Sequence, residues 1–226
     1  MNASRPVGRP VDCGVVPGQR HRQQGVCAAS GRYRADITAG SLKIAESRVI
    51  ADLLLRGVDE AGWKQAITKD NVLKAKNPAT ATRLARLIGQ RLETMSPELW
   101  QMVRDGTVVV ATHAVLAAAI KHSSLLGDFL DLAVRDQYRR FGKALTKKVW
   151  FDFLEDCRGR DPHMPQWQES TLTRMGSSVF QILAQAGYIH DTRSMLLQRP
   201  HITAEVIGYL ERTQQDYVLR CITVGT

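Results

Sequence analysis

Apolar residues recur at every third or fourth position along most of the chain from Tyr33 onward, which is the spacing of amphipathic helices. Glycine, proline and helix-capping residues interrupt this pattern and mark the ends of the segments. Asn77-Pro78 and Ser96-Pro97 each combine a capping residue with proline at the first helical position. The chain is therefore predicted to be mainly α and compact. The predicted helices are Leu42–Arg56, Asp59–Asn71, Pro78–Thr94, Pro97–Gly106, Thr107–His122, Ser124–Phe141, Thr146–Cys157, Ser170–Ala186 and Thr203–Gln214.

A different pattern follows Gly187, in the stretch YIHDTRSMLLQRPHI. Tyr188–Ile189 and Met195–Leu197 are predicted to be short strands around a turn at Asp191–Ser194, and Tyr217–Val224 also has β-like content. A helix pair, a long helix and a small hairpin in this order are typical of a winged helix-turn-helix. The predicted fold is thus mainly α, with helix-turn-helix or winged-helix-like elements and a small C-terminal β-hairpin.

The chain divides into three predicted regions. Residues 1–32 are rich in Arg, Pro and Gly and show no hydrophobic period, so they are expected to form a disordered basic tail. A basic arm, a targeting peptide and translated sequence upstream of the true start are alternative explanations of this tail. Residues 33–122 are predicted to form an N-terminal helical subdomain with a helix-turn-helix-like unit. Residues 123–226 are predicted to form a C-terminal winged-helix-like subdomain.

The run IKHSSLLGDFLDLAVRDQYRRF, residues 120–141, places a lysine, a histidine, a serine and an aspartate close together. A nucleophilic serine needs a base within hydrogen-bond reach, and adjacent residues such as His122 and Ser123 point about 100° apart on a helix. The prediction is therefore a packed helix, with Ser123 or Ser124 as its cap. Its predicted apolar stripe is Leu125, Leu126, Phe129, Leu130, Leu132, Ala133, Val134 and Phe141.

The composition is that of a globular protein, with 44% apolar residues among 226. The net charge is +9, but residues 1–34 carry +5 of it and residues 35–226 carry +4. Any polyanion site on the body must therefore be a local patch. The most apolar run, Val108–Ile120, is shorter than the ~20 residues of a membrane span, so it is predicted to be a core helix. A cytoplasmic protein with no membrane partner is expected.

Motifs that carry catalysis are missing from the sequence. It contains no phosphate loop ending in GK[ST], no GxSxG, no HExxH and no dinucleotide fingerprint. The cysteines Cys13, Cys27, Cys157 and Cys221 are far apart and form no CxxC pair. The expectation is a protein that is not an enzyme and takes no cofactor, metal or small-molecule substrate.

Three stretches combine basic, amide and hydroxyl side chains on faces without an acidic residue, as contacts to phosphates and base edges require. The alternative for each stretch is an ordinary solvent-exposed surface that binds no ligand. The candidate nucleic-acid-binding residues are Lys74, Lys76, Thr82, Arg83, Arg86 and Gln90 in the first stretch, Arg139, Arg140, Lys143, Lys147 and Lys148 in the second, and Arg174, Ser178, Gln181 and Arg193 in the third.

Within these stretches the predicted roles differ. Arginines and lysines of the first two are expected to contact phosphates, whereas Arg174 and Gln181 are expected to lie nearest the bases and Arg193 to reach the backbone from the hairpin turn. Arg91 falls inside the apolar stripe of its helix, so a buried carboxylate partner is expected for it. The four tryptophans are expected mostly in the core, which makes stacking on single-stranded RNA the less favoured alternative.

Five runs of the sequence carry a family resemblance. They are YRADITAGSLKIAESRVIADLLLRGV, NPATATRLARLIGQRLETMSPELWQMVRDG, IKHSSLLGDFLDLAVRDQYRRF, DFLEDCRGRDP and AGYIHDTRSMLLQ. Together they resemble the BrxA family of bacteriophage exclusion (BREX) defence systems, from about Tyr33 to Val224. The resemblance implies a compact, mostly helical cytosolic protein that is encoded beside a methyltransferase, ATPases and other defence components and binds nucleic acid. The family offers no established catalytic residues to transfer.

The sequence thus favours a non-enzymatic accessory component of a phage-defence complex that binds duplex DNA. The alternatives are an assembly subunit whose polar faces dock other defence proteins, and an RNA-binding protein. The expected partners are therefore duplex DNA and other BREX proteins.

Overall fold

The computed structural model describes residues 31–37 and 41–226, and the residues from Gly31 to Thr226 form one compact unit. The predicted basic tail lies outside the described residues except for Gly31 and Arg32. The mainly α prediction is confirmed. The helices are α1 (Ile44–Leu55), α2 (Glu60–Lys64, continued by the π-helical turn Gln65–Lys69), α3 (Pro78–Leu92), α4 (Pro97–Asp105), α5 (Val108–His122), α6 (Ser124–Asp128), α7 (Arg135–Arg139), α8 (Lys147–Arg160), α9 (Glu169–Gln185), α10 (Ala204–Arg212) and α11 (Asp216–Ile222).

Side-chain caps fix several helix starts where the sequence predicts them. The Asn77 side chain accepts a hydrogen bond of 2.8 Å from the Thr80 N–H, and Pro78 fills the first position of α3. The Thr107 hydroxyl accepts one of 3.2 Å from the Val110 N–H at the start of α5. These bonds satisfy N–H groups that a helix leaves without an intrahelical partner.

Helix α5 forms the centre of the fold. It contacts α1, α3, α4, α6, α10 and α11, and its residues from Val110 to Ile120 are all buried. The buried His113 accepts a hydrogen bond from the Thr203 N–H at 3.2 Å, and burial lowers the pKa of this imidazole, so it is neutral at pH 7. The predicted core helix is confirmed.

Among the described residues, no single helix has the length and apolar content to cross a membrane. Two consecutive segments, Val108–His122 and Ser124–Arg139, meet this criterion only as a pair, and they are bent by 106°.

The helical run after α5 is interrupted by a π-helical turn, Phe129–Val134, between α6 and α7. Phe129 fills the core beside it, edge-on to Trp150 at 5.1 Å between ring centroids. The predicted apolar stripe is wrong at two of its members, because Leu132 is 41% exposed and Phe141 is 91% exposed. Phe141 leaves the stripe because α7 ends at Arg139, before the helical face is completed.

The predicted hairpin is present only as isolated bridges. Ile189 pairs with Leu197, and Leu196 pairs with Ala144 in a distant part of the chain. The β-like segment at the C-terminus is helix α11, in which Val218, Cys221 and Ile222 are buried at helical spacing. Burial at spacings of three and four residues outweighs β-propensity here. The described part of the chain contains no strand, and the helix-turn-helix and wing are not supported.

Asp128 joins three parts of the unit. Its carboxylate, on a residue that is 5% exposed, accepts hydrogen bonds from the hydroxyls of Tyr33 at 2.8 Å and Tyr217 at 2.7 Å, and from the Arg32 guanidinium at 2.8 Å. Gly127 permits this approach, because a Cβ there would lie 2.3 Å from the Tyr217 hydroxyl. The N-terminal segment, α6 and α11 are thus held by one buried carboxylate.

Buried thiols and phenols predict a loss of stability at alkaline pH. Burial raises the pKa of Cys221 and of Tyr138 to about 12, and it also raises the pKa of Cys157 and Tyr188. An unfolded chain releases these protons from about pH 8.5 for cysteine and about pH 10 for tyrosine, while the folded chain retains them. Each raised pKa therefore adds stability that is complete below about pH 8.5 and is lost as pH rises toward the folded pKa.

The urea midpoint is expected to be constant near neutral pH and to fall by a growing amount above about pH 9. Cys221→Ala is the control, because removing one of the groups should make the decline near pH 9 shallower. A midpoint that stays flat into the range where free tyrosine ionises would contradict this expectation.

Candidate nucleic-acid interface

Backbone pairing brings two distant segments of the chain side by side. The Leu145 N–H donates to the Met195 carbonyl at 2.8 Å, and the Leu197 N–H donates to the Lys143 carbonyl at 3.0 Å. In this antiparallel register the residues beyond the pairing, Lys147 and Arg193, lie toward the same end. The sequence assigned these two cations to separate sites, whereas the pairing places both toward the same end of the paired segments.

A groove beside this pairing adds further cations. Its lining includes Arg139 of α7, Phe141 and Arg199, and the groove has a volume of about 510 Å³. Tyr138 links two segments that line the groove, because its hydroxyl is within hydrogen-bond distance of the Gln198 carbonyl. We call the surface formed by the exposed cations of these segments the basic surface. Its members are Arg139, Arg140, Lys143, Lys147, Lys148, Arg193 and Arg199.

The charges of the basic surface are largely free. Arg140 and Lys148 form exposed ion pairs with Asp136 and Asp152 on their own helices, at 2.9 and 2.7 Å. Within the part of the chain that the structure describes, the other five members have no carboxylate at ion-pair distance. Such a cluster is unfavourable by itself and is relieved by an external anion.

A further acid, Asp191, lies in the turn that carries Arg193. The Asp191 carboxylate accepts hydrogen bonds of 2.7 Å from the Ser194 and Arg193 N–H groups, and one of 2.6 Å from the His190 ring. The bonds from the Ser194 N–H and the His190 ring hold the pKa of Asp191 well below its usual range. Because these groups already bind the carboxylate, it holds the turn in shape.

A second cationic surface follows the outer side of α3 and the loop before it. We call it the α3 face, and all of its predicted members are exposed. They are Lys74, Lys76, Thr82, Arg83, Arg86 and Gln90. No described carboxylate lies at ion-pair distance from its four cations. The opposite side of α3 packs against α1 and α5, so this face is the one available to a ligand.

Helix α9 presents a smaller polar face than predicted. Arg174 and Gln181 are exposed, but Ser178 is only 5% exposed and its hydroxyl donates to the Arg174 carbonyl at 3.1 Å. Ser178 therefore lies beneath the exposed face on which the sequence predicts it. α9 is buried over more than one side, because Val179 and Phe180 also face the core.

A polar cluster lies beneath the surface where α3 meets the N-terminal segment. Arg91 is 3% exposed; burial lowers the pKa of its guanidinium to about 10, and the charge of Asp36 acts in the opposite direction. The predicted buried carboxylate partner is not found as an ion pair among the described residues: Asp36 acts on Arg91 only through its charge, and Nη1 of Arg91 has no hydrogen-bond partner in the described part. Ser123 donates to Asp36 at 2.6 Å and accepts from the Leu126 N–H at 3.4 Å, which confirms its role as a cap.

Two residues were not predicted as part of the interface: Arg199 of the basic surface and Phe141 of the groove beside it. Arg199 lies two residues after the second predicted strand, Met195–Leu197, and its position on the same segment as Arg193 was the available signal. Phe141 was assigned to the core, and no local pattern distinguishes it from the buried phenylalanines of the same run. In the described residues, no group of histidine, cysteine and carboxylate side chains is arranged to hold a metal ion.

Comparison with known proteins identifies the family. The family model for BrxA matches residues 31–214. The chain belongs to the BrxA family. A relative from Paramagnetospirillum magneticum strain AMB-1, named BREX protein BrxA, is 55% identical over 87% of this chain and 99% of its own length. One of the same name from Escherichia coli O9:H4 strain HS is 33% identical over 81% of this chain and 86% of its own.

A solved structure supports the fold of this family member. It is the crystal structure of an uncharacterized protein from Magnetospirillum magneticum, which is 53% identical in sequence and superposes with a TM-score of 0.80. The match covers 85% of this chain and 99% of that chain.

Proposed function

We propose that this chain is a non-enzymatic component of a bacteriophage exclusion defence system that binds duplex DNA in the cytoplasm. The defence role follows from its relatives, which are named BREX protein BrxA. The observation that carries DNA binding is the pairing of residues 143–145 with 195–197, which gathers exposed, unpaired cations from separate parts of the chain. Cations placed on a rigid surface position a protein on the phosphate backbone.

The α3 face and α9 add to this proposal as further contact regions. Arg83 and Arg86 are one helical turn apart on an exposed face and are placed to contact consecutive phosphates. Arg174 and Gln181 remain the candidates for contact with base edges.

Alanine pairs test where the duplex binds. Arg139→Ala with Lys143→Ala, and separately Arg83→Ala with Arg86→Ala, should each make the salt slope of duplex binding shallower by about 1.8, because each lost phosphate contact removes ~0.9. Lys64→Ala with Lys69→Ala is the control, because it removes the same charge from exposed positions outside both surfaces. The slope is measured by fluorescence anisotropy at several salt concentrations.

Equal slopes for all three pairs would contradict the assignment, because binding would then depend on net charge alone. Single-stranded DNA and RNA of equal length are measured in parallel. Tighter binding of RNA than of duplex DNA by the full chain would favour the RNA alternative.

Docking of another defence subunit is a second candidate function. It is favoured by Val108 and Val109 at the start of α5, which are 69% and 54% exposed and line a groove with His201. Exposed apolar side chains next to each other are typical of protein contacts. Val108→Asn with Val109→Asn should release a bound defence subunit in a pull-down and leave duplex affinity unchanged. Retention of that subunit would contradict docking at this position.

A further inference from the structure

Phe141 combines two unfavourable properties in one residue. It is 91% exposed, and its backbone is left-handed with φ of 53°. A left-handed conformation is uncommon for bulky residues and is adopted mostly by glycine. Because the ring is exposed, it gains no packing energy in the core that would offset the cost of this conformation. Strained residues that packing does not explain are found preferentially at functional sites.

The conformation follows from how α7 ends. The Phe141 N–H donates to the Tyr138 carbonyl at 3.1 Å, and the Gly142 N–H donates to the Gln137 carbonyl at 2.8 Å. These two bonds form a Schellman closure, in which the left-handed position is normally occupied by glycine. Here phenylalanine occupies that position and glycine follows it. The closure projects the ring into solvent from a fixed backbone.

The surroundings of the ring point to a polyanion with aromatic faces. Phe141 shares a groove with Arg139 and Arg199, and Lys143 lies two residues further along the chain. The phosphate backbone provides the anion and the base provides a face on which an aromatic side chain stacks. Proteins that bend duplex DNA insert apolar side chains between base steps in this way, while cations hold the flanking phosphates.

We propose that Phe141 stacks on a nucleobase at a base step that opens when the chain binds duplex DNA. This inference rests on the proposed function and deepens it, because it defines the preferred ligand as nucleic acid with an unstacked base. A base face of this kind comes from a kinked duplex or from a single strand. A duplex with a mismatch should bind more tightly than a fully paired one, because less free energy is needed to open its step.

Phe141→Gly tests the proposal without damage to the fold. The variant should lose about tenfold in affinity for duplex DNA, as expected for one lost stacking contact. Its urea midpoint should be unchanged or higher, since glycine suits the left-handed position. Phe141→Trp should restore the affinity, and Leu132→Ala, at another exposed apolar residue, should leave it unchanged.

The full chain is titrated with three probes that contain 2-aminopurine: a paired duplex, a duplex with one mismatch and a single strand. The fluorescence of 2-aminopurine in the duplexes should rise on binding of the wild-type chain and not of Phe141→Gly. The preference for the mismatch should disappear in that variant. If the wild-type chain binds the paired duplex and Phe141→Gly binds it equally well, the stacking inference is wrong and the proposed function stands.

If the wild-type chain binds neither duplex, the proposed function itself fails. A Phe141→Gly variant that keeps duplex affinity but loses a defence subunit in a pull-down would show protein docking, which overturns stacking. If Phe141→Gly lowers the affinity for the single strand alone, the stacked base belongs to unpaired nucleic acid. The inference that a duplex step opens would then be wrong.

Discussion

Replacing Asp128 with alanine is expected to lower the free energy of unfolding by about 3 kcal/mol. The substitution removes the acceptor of three hydrogen bonds, two of them from the hydroxyls of Tyr33 and Tyr217. The Tyr33 side chain is buried, and a buried hydroxyl that loses its acceptor costs about 1–3 kcal/mol. Arg32 adds less, because its side chain is 56% exposed and regains contact with water. The free energy is measured by urea unfolding.

The matched control is Asp136→Ala. It removes the same group from the same helical run, but Asp136 forms an exposed ion pair with Arg140, so the expected change is within about 0.5 kcal/mol. Tyr217→Phe removes one of the three hydrogen bonds to Asp128 and should cost about 1 kcal/mol. A loss for Asp128→Ala no larger than that for Asp136→Ala would show that the buried carboxylate does not hold the three segments together.

Reversing the charge of the basic surface is expected to reduce duplex affinity at least about 100-fold at ~0.1 M salt. The variant combines Arg139→Glu, Lys143→Glu and Lys147→Glu. It removes three phosphate contacts and places at the same positions three carboxylates, which the DNA phosphates repel. All three side chains are exposed and have no described acidic partner, so the fold should tolerate the change. Circular dichroism and the urea midpoint check that it does.

A second triple variant tests whether the position of the charges matters. It combines Arg56→Glu, Lys64→Glu and Lys69→Glu. These positions are also exposed and lie outside both cationic surfaces. Equal loss of affinity in both triple variants would mean that the duplex responds to total charge and has no defined site.

Local sequence patterns predict the helices, but they do not predict how the folded chain brings the cationic stretches together. The start of α3 follows from the Asn77 cap before Pro78, because that chemistry acts within a few residues. Helix α4 also begins at its proline, Pro97, although the Ser96 side chain makes no cap hydrogen bond. The pairing of residues 143–145 with 195–197 joins segments about fifty residues apart, and its hydrogen bonds are between backbone groups that every residue carries. The sequence could therefore suggest both cationic stretches but not their proximity.

The errors at individual residues have specific physical causes. Phe141 was expected in the core because the apolar spacing continues to it, but α7 closes two residues earlier and turns the ring outward. Ser178 was expected on the surface because it lies among polar residues, but α9 is enclosed on more than one side. The burial of Asp128 is not indicated by its own run of sequence, because its tyrosine partners lie far away in the chain.

We propose that the folded body binds duplex DNA through the basic surface. The most direct measurement is the slope of log K against log salt for the full chain and for the charge-reversal variant, with the same duplex. We expect a wild-type slope of about −4 or steeper and a variant slope shallower by about 3, since each phosphate contact contributes ~0.9. Equal slopes for the two proteins would contradict it and would place the electrostatic contacts elsewhere in the chain.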